Sequence, residues 1–140
     1  MTIATASHIP VLINPIMQAL GGLQGKVVVD ATFGAGGYSN RFLQAGAKHV
    51  VAFDRDPNVV PIAEKLAAKY PGQFLFFAGC FSEVDGLLSQ ANIDHVDVLA
   101  ADLGVSSMQL DQADRGFSFM RDGPLDMRMG AQGLRAADLV

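Results

Sequence analysis

From Lys26 onward, short β-branched or aromatic runs alternate with stretches whose apolar residues recur at helical spacing, which predicts βαβ units and a parallel sheet. The expected strands are residues 27–29, 49–53, 74–77 and 96–101. Helices are expected over about 38–44, over about 58–69 after Arg55-Asp56-Pro57, and from Ser82 through Leu87 and Leu88. Ser82 with Asp85 three residues on reads as a weak capping arrangement for the last of these. Residues 1–25 read as a separate N-terminal helical segment, residues 26–110 as the core, and 111–140 as a substrate-side loop opening into an incomplete helical subdomain.

Three of the four expected strands finish on an aspartate, at Asp30, Asp54 and Asp102. These positions fall at the carboxyl edge, where open α/β sheets bind ligands. After Asp102 the pattern breaks: residues 104–133 hold five glycines, four methionines and two phenylalanines among alternating Arg and Asp, the composition of a long functional loop.

Composition narrows the class. Half of the 140 residues are hydrophobic, 17% are charged and the mean hydropathy is +0.28, which excludes intrinsic disorder. No apolar run approaches the roughly 18 residues of a membrane span, and the opening MTIATASHIP lacks a secretory pattern. With Cys80 as the single cysteine, a reducing, cytoplasmic setting is expected. The net charge is −4, and it is uneven: residues 1–70 hold six Lys and Arg against four Asp and Glu, residues 71–140 four against ten. So acidic a chain lacks the footprint of a general nucleic-acid binder, and any contact with RNA must be local. The apolar, helix-prone end at residues 135–140 reads as an element cut midway.

Glycines directly after a first strand let a ligand approach the backbone and the next helix N-terminus. The spacing here, Gly34-x-Gly36-Gly37, departs from the dinucleotide pattern, and Asp30 just upstream would repel a pyrophosphate. S-adenosylmethionine brings an ammonium and a sulfonium instead, so the acidic start favours it. Asp54, twenty residues after Gly34, suits the ribose hydroxyls of either cofactor. Blander readings stand beside these: Asp30 as a turn cap, Phe81 and Cys80 as core residues, Tyr38 and His8 as surface residues, and the late methionines as packing.

His8–Leu12 (HIPVL), Asp30–Ser39 (DATFGAGGYS), Ala52–Pro57 (AFDRDP), Ala101–Ser107 (ADLGVSS) and above all Arg115–Met129 (RGFSFMRDGPLDMRM) together closely resemble the bacterial RsmH (MraW) family. The resemblance covers essentially the whole chain. It implies a Rossmann-like methyltransferase of the α/β class that uses S-adenosyl-L-methionine and methylates the exocyclic N(4) of a cytidine in 16S rRNA of the small ribosomal subunit. It also implies that the chain ends before a helical insertion and the last strands of the sheet. Carried over position by position, Gly36, Gly37 and Tyr38 would meet the methionine part of the cofactor, Asp54 the ribose and Phe81 the adenine. Asp102 and Gln109 would complete the pocket, and no metal is expected. The family usually has His at Tyr38 and often Pro at Met108.

Cytosine N(4) is a poor nucleophile, its lone pair being shared with the ring, so it needs orienting and a hydrogen-bond acceptor. Asp102 is the expected catalytic residue, as acceptor for the N(4) hydrogens. Phe117 and Phe119, flanked by Arg115 and Arg121, offer a stacking surface for a base; alternatively they form a packed loop whose arginines pair with Asp114, Asp122 and Asp126. The competing functions are a small-molecule methyltransferase, a nicotinamide-dependent dehydrogenase and a catalytically inert fragment of the rRNA enzyme.

Overall fold

The computed structural model describes residues 10–140, so the His8 reading lies outside the described residues. Four parallel strands form one sheet: β1 (Val27–Asp30), β2 (His49–Asp54), β3 (Phe74–Ala78) and β4 (Val98–Ala100). Their order is β3-β2-β1-β4, with Val28 beside Val50 and Val98, and Asp54 beside Ala78. Helices α1 (Ile13–Leu20), α2 (Gly37–Gln44), α3 (Val60–Lys69), α4 (Val84–Gln90) and α5 (Ser107–Asp111) complete the fold.

Successive strand residues face opposite sides of a sheet, and each side here has its own core. Val28, Val50, Ala52 and Phe74 pack with Phe42, Leu43, Ala63 and Leu66 of α2 and α3. Val29, Val51 and Phe53 pack on the other side with Val84, Leu87 and Leu88 of α4. The division follows from handedness. The chain steps outward from β1 to β2 to β3, then returns past β1 to β4, so right-handed crossovers put α4 on the face opposite α2 and α3. That reversal makes the carboxyl ends of β1 and β4 the switch point, the usual ligand crevice of such sheets. β4 is an edge strand, and Leu99 on it is 62% exposed.

Several boundaries differ from expectation. α2 begins at Gly37, one residue early, because Gly36 takes the left-handed conformation (φ 77°) that turns the chain into the helix. Residues 57–59 form a 3₁₀ turn capped by Asp56, whose side chain accepts from the Asn58 N–H, and α3 starts only at Val60. Ser82 does not cap α4: it lies within a 3₁₀ turn, Phe81–Glu83, and no side chain caps either that turn or the helix. β4 covers three residues rather than six and stops two short of Asp102. A full capping box occurs at α5 instead, where Ser106 Oγ accepts from the Gln109 N–H and Gln109 Oε1 accepts from the Ser106 N–H. Residues 136–138 form a 3₁₀ turn.

Candidate functional site

The glycine turn is tied to the carboxyl edge of the sheet by hydrogen bonds from its own backbone. The Gly34 N–H donates to Asp54 Oδ2 (2.7 Å), the Phe33 N–H to the Phe53 carbonyl (2.9 Å) and the Ala31 N–H to the Ala100 carbonyl (2.8 Å). The Asp102 N–H donates to Thr32 Oγ1 (2.8 Å), which joins the end of β4 to the loop after β1. Beneath the turn lies the Phe33 ring, 5.7 and 5.2 Å from those of Phe74 and Phe76. A Cβ on Gly36 would come within 2.9 Å of that ring, and one on Gly37 within 2.3 Å of Pro10. Gly34, also left-handed (φ 52°), has none of the described residues within 4 Å of where its Cβ would be, which leaves room for a ligand on that side.

Asp30 is the most confined of the strand-end carboxylates, at 1% exposure. Its oxygens accept from the Ser39 hydroxyl (2.7 Å) and the Thr32 N–H (3.2 Å), so it does shape the turn as the blander reading held. Burial pushes its carboxyl up to about 6, against the lowering effect of the Ser39 and Thr32 hydrogen bonds. Tyr38, in the first turn of α2, donates its phenolic hydrogen to the Val11 carbonyl. Burial raises its pKa, and the Asp102 and Asp30 charges add to the shift.

The expected pocket residues therefore fall into two sets. Gly36, Gly37, Tyr38, Asp54 and Asp102 lie around the glycine turn at the carboxyl edge of the sheet, with Asp102 exposed. Phe81 follows β3 and is 44% exposed, joined to the cluster through the Gly79 N–H that donates to the Asp54 carbonyl. Gln109 differs, being buried with both ends of its amide occupied: Oε1 by the Ser106 N–H, and Nε2, which donates to Asp56 Oδ2 (3.0 Å).

That last contact belongs to an assembly the sequence did not suggest. Asp56, 3% exposed, also accepts from Arg115 Nη1 at 2.8 Å, and Arg115 Nη2 donates to the carbonyls of Arg128 and Met129. The Met127 N–H returns to the Arg115 carbonyl (3.0 Å). The long loop is thus anchored on the end of β2. The expected pairing of Arg115 and Arg121 with Asp114, Asp122 and Asp126 does not occur: Arg121 bonds the Asp111 carbonyl, and Asp126 pairs with Arg128, which lowers its carboxyl pKa to about 2. Phe119 at the loop tip is fully exposed. Phe117 is partly buried.

The donor set fits S-adenosylmethionine. Carboxylates at Asp54 and Asp102 suit the ribose hydroxyls and an ammonium, buried Asp30 shapes the turn beside them, and the exposed Phe81 ring suits adenine. Among the described residues no group of three or more His, Cys, Asp or Glu is placed to hold a metal ion, and no helix is long and apolar enough to cross a membrane.

Residues 5–140 match the model of the MraW methylase family. The chain belongs to that family. Relatives named ribosomal RNA small subunit methyltransferase H include that of Rhodospirillum rubrum, 50% identical over 98% of this chain, and that of Caulobacter sp. strain K31, 53% identical over 96%. The chain spans about 40% of the length of each. Among solved structures, a Pyrococcus horikoshii protein provisionally named an RNA methyltransferase superposes with a TM-score of 0.53 and 27% identity, over 68% of this chain and 44% of its own. Its likeness agrees with the four-stranded parallel architecture seen here.

Proposed function

We propose that this chain is the cofactor-binding portion of an S-adenosylmethionine-dependent rRNA methyltransferase, acting in the cytoplasm on the N(4) amine of a cytidine in 16S rRNA of the small ribosomal subunit. The observation that carries the reading is a glycine turn tied to Asp54 at the end of β2 and to the loop that carries Asp102, at the carboxyl edge of the sheet in a chain from the MraW methylase family.

In this reading Gly36, Gly37 and Tyr38 receive the methionine part of the cofactor, Asp54 accepts from the ribose hydroxyls and Phe81 covers the adenine. Gln109 serves from a fixed position, because its amide is bound at both ends. The cofactor supplies a methyl group made electrophilic by its sulfonium. Asp102 accepts a hydrogen bond from the N(4) amine and turns its lone pair toward that methyl. With the cofactor bound to supply the methyl group, Asp102 would take the proton that the N(4) nitrogen sheds on being methylated. S-adenosylhomocysteine and N(4)-methylcytidine remain.

Titration calorimetry of the chain with S-adenosylhomocysteine and with NAD tests the cofactor; tighter binding of NAD overturns it. Incubating a form extended to its relatives' length with small ribosomal subunits lacking the modification tests the substrate. Methyl transfer to cytidine N(4) is expected, and transfer only to small molecules overturns the rRNA reading.

A further inference from the structure

All six of the basic residues in the first half of the chain lack a carboxylate within 4.0 Å among the described residues, whereas three of the four arginines in the second half are in ion pairs. Three of those six, Arg41, Lys65 and Lys69, line one open groove of about 620 Å³ between α1, α2 and α3. Among the described residues none that lines the groove is acidic, although the chain as a whole carries a net charge of −4. Lys69 is steadied by neutral partners: its ammonium donates to Asn40 Oδ1 (3.4 Å) and stands 5.0 Å from the centre of the Tyr70 ring, so its charge is not neutralised. Pro10, Ile62 and Leu66 add apolar surface beside the cations. Ala35, Gly36 and Gly37, from the turn beside the proposed cofactor site, are also among its lining residues.

We propose that this groove binds the ribose-phosphate backbone of the substrate RNA and guides it toward the glycine turn. The proposal rests on the rRNA reading above and adds to it a surface of its own. Unpaired cations gathered in one channel are what phosphates recognise, since each contact releases a condensed counterion. Apolar surface between the cations suits the sugar edge of a strand, and side-chain amides of Asn14, Asn40 and Gln44 supply neutral donors to phosphate oxygens. An acidic protein confines its RNA contact in this way to the face where uncompensated positive charge lies.

The test compares two variants of equal net charge in the form extended to its relatives' length. Lys65→Gln with Lys69→Gln removes two groove cations, and Lys26→Gln with Lys48→Gln removes two from outside it. Binding to unmodified small ribosomal subunits is measured across a salt series, with S-adenosylhomocysteine affinity as a check on the fold. The groove variant is expected to lose about 25-fold in affinity at 0.1 M salt and to lower the log–log salt slope by roughly 1.4, at about 0.7 per phosphate contact on a single strand. The outer variant should change by less than about threefold, and cofactor affinity should hold in both. Equal losses in the two variants, or no loss from the groove variant, overturn the proposal. Loss from the groove variant in the 140-residue chain but not in the extended form also overturns it, because other parts of the protein then cover the groove. Absence of methyl transfer by the unaltered protein rejects the rRNA reading alone, since the binding comparison needs no turnover.

Discussion

Asp56 and Arg115, 59 residues apart in sequence, form a buried ion pair 2.8 Å long that anchors the loop after β4 to the end of β2. Arg115 is the hub, with one guanidinium nitrogen on Asp56 and the other on the carbonyls of Arg128 and Met129. Removing the arginine leaves Asp56 buried with its charge uncompensated, which costs about 3 kcal/mol for such pairs. Arg115→Met is therefore expected to lower stability by that amount in urea titrations. Arg115→Lys should recover part of it, since a single ammonium keeps the Asp56 contact and gives up the fork to the loop carbonyls. Hydrogen exchange at the Met127 amide, which is bonded to the Arg115 carbonyl, should quicken in both variants.

Asp30 sets stability against function. Its carboxyl titrates near 6 in the folded chain and near 3.8 when unfolded, so between those values the native state binds the extra proton and stability falls as pH rises. The cost is absent below about pH 4 and complete above about pH 6, at roughly 3 kcal/mol for two units of displacement. Asp30→Asn should raise the melting midpoint by several degrees at pH 8 and leave it unchanged at pH 4. The same change should weaken S-adenosylhomocysteine binding, and thermal scans at both pH values with calorimetry check the pair of outcomes.

Much of this was legible because each buried strand announces itself: residues 27–29 and 50–53 are continuous apolar runs, as strands covered on both faces must be. The aspartates ending β1 and β2 were visible for the same reason, as abrupt polar stops. The Asp56–Arg115 pair was not, since nothing local in either segment encodes a partner 59 residues away. Ser106 and Gln109 do have capping-box spacing, but they sit at the start of a glycine- and methionine-rich stretch whose composition suggested only loop. Ser82 erred in the opposite direction, having cap-like spacing where the chain makes a 3₁₀ turn.

The Tyr38 hydroxyl reaches back to the Val11 carbonyl, 27 residues earlier in the chain. If the cofactor meets the backbone here, Tyr38→Phe should leave S-adenosylhomocysteine affinity within about twofold. Stability should fall by no more than about 1 kcal/mol, the value of one partly exposed hydrogen bond. Calorimetry and urea titration separate the two effects.

Gly36→Ala forces a side chain into a left-handed backbone position and against the Phe33 ring, 2.9 Å away. The backbone term alone is about 1–2 kcal/mol, and a total loss of about 2 kcal/mol is expected from denaturant unfolding, with weaker cofactor binding.

Asp102→Asn keeps an acceptor oxygen but no longer accepts a proton. In the extended form, at saturating cofactor, kcat should fall by at least about 100-fold, within the range for a lost general base. Methylation at the normal rate would remove Asp102 from the chemistry.

The Asp54 carboxylate already holds the Gly34 N–H at 2.7 Å. A ligand arriving at that aspartate consequently meets a turn whose shape is set, and spends little of its interaction energy on ordering it. Cofactor association should then proceed as a single bimolecular phase in stopped-flow, its observed rate rising linearly with concentration. Freeing the turn with Asp54→Ala should introduce a slower, saturating phase as the loop finds its geometry after encounter.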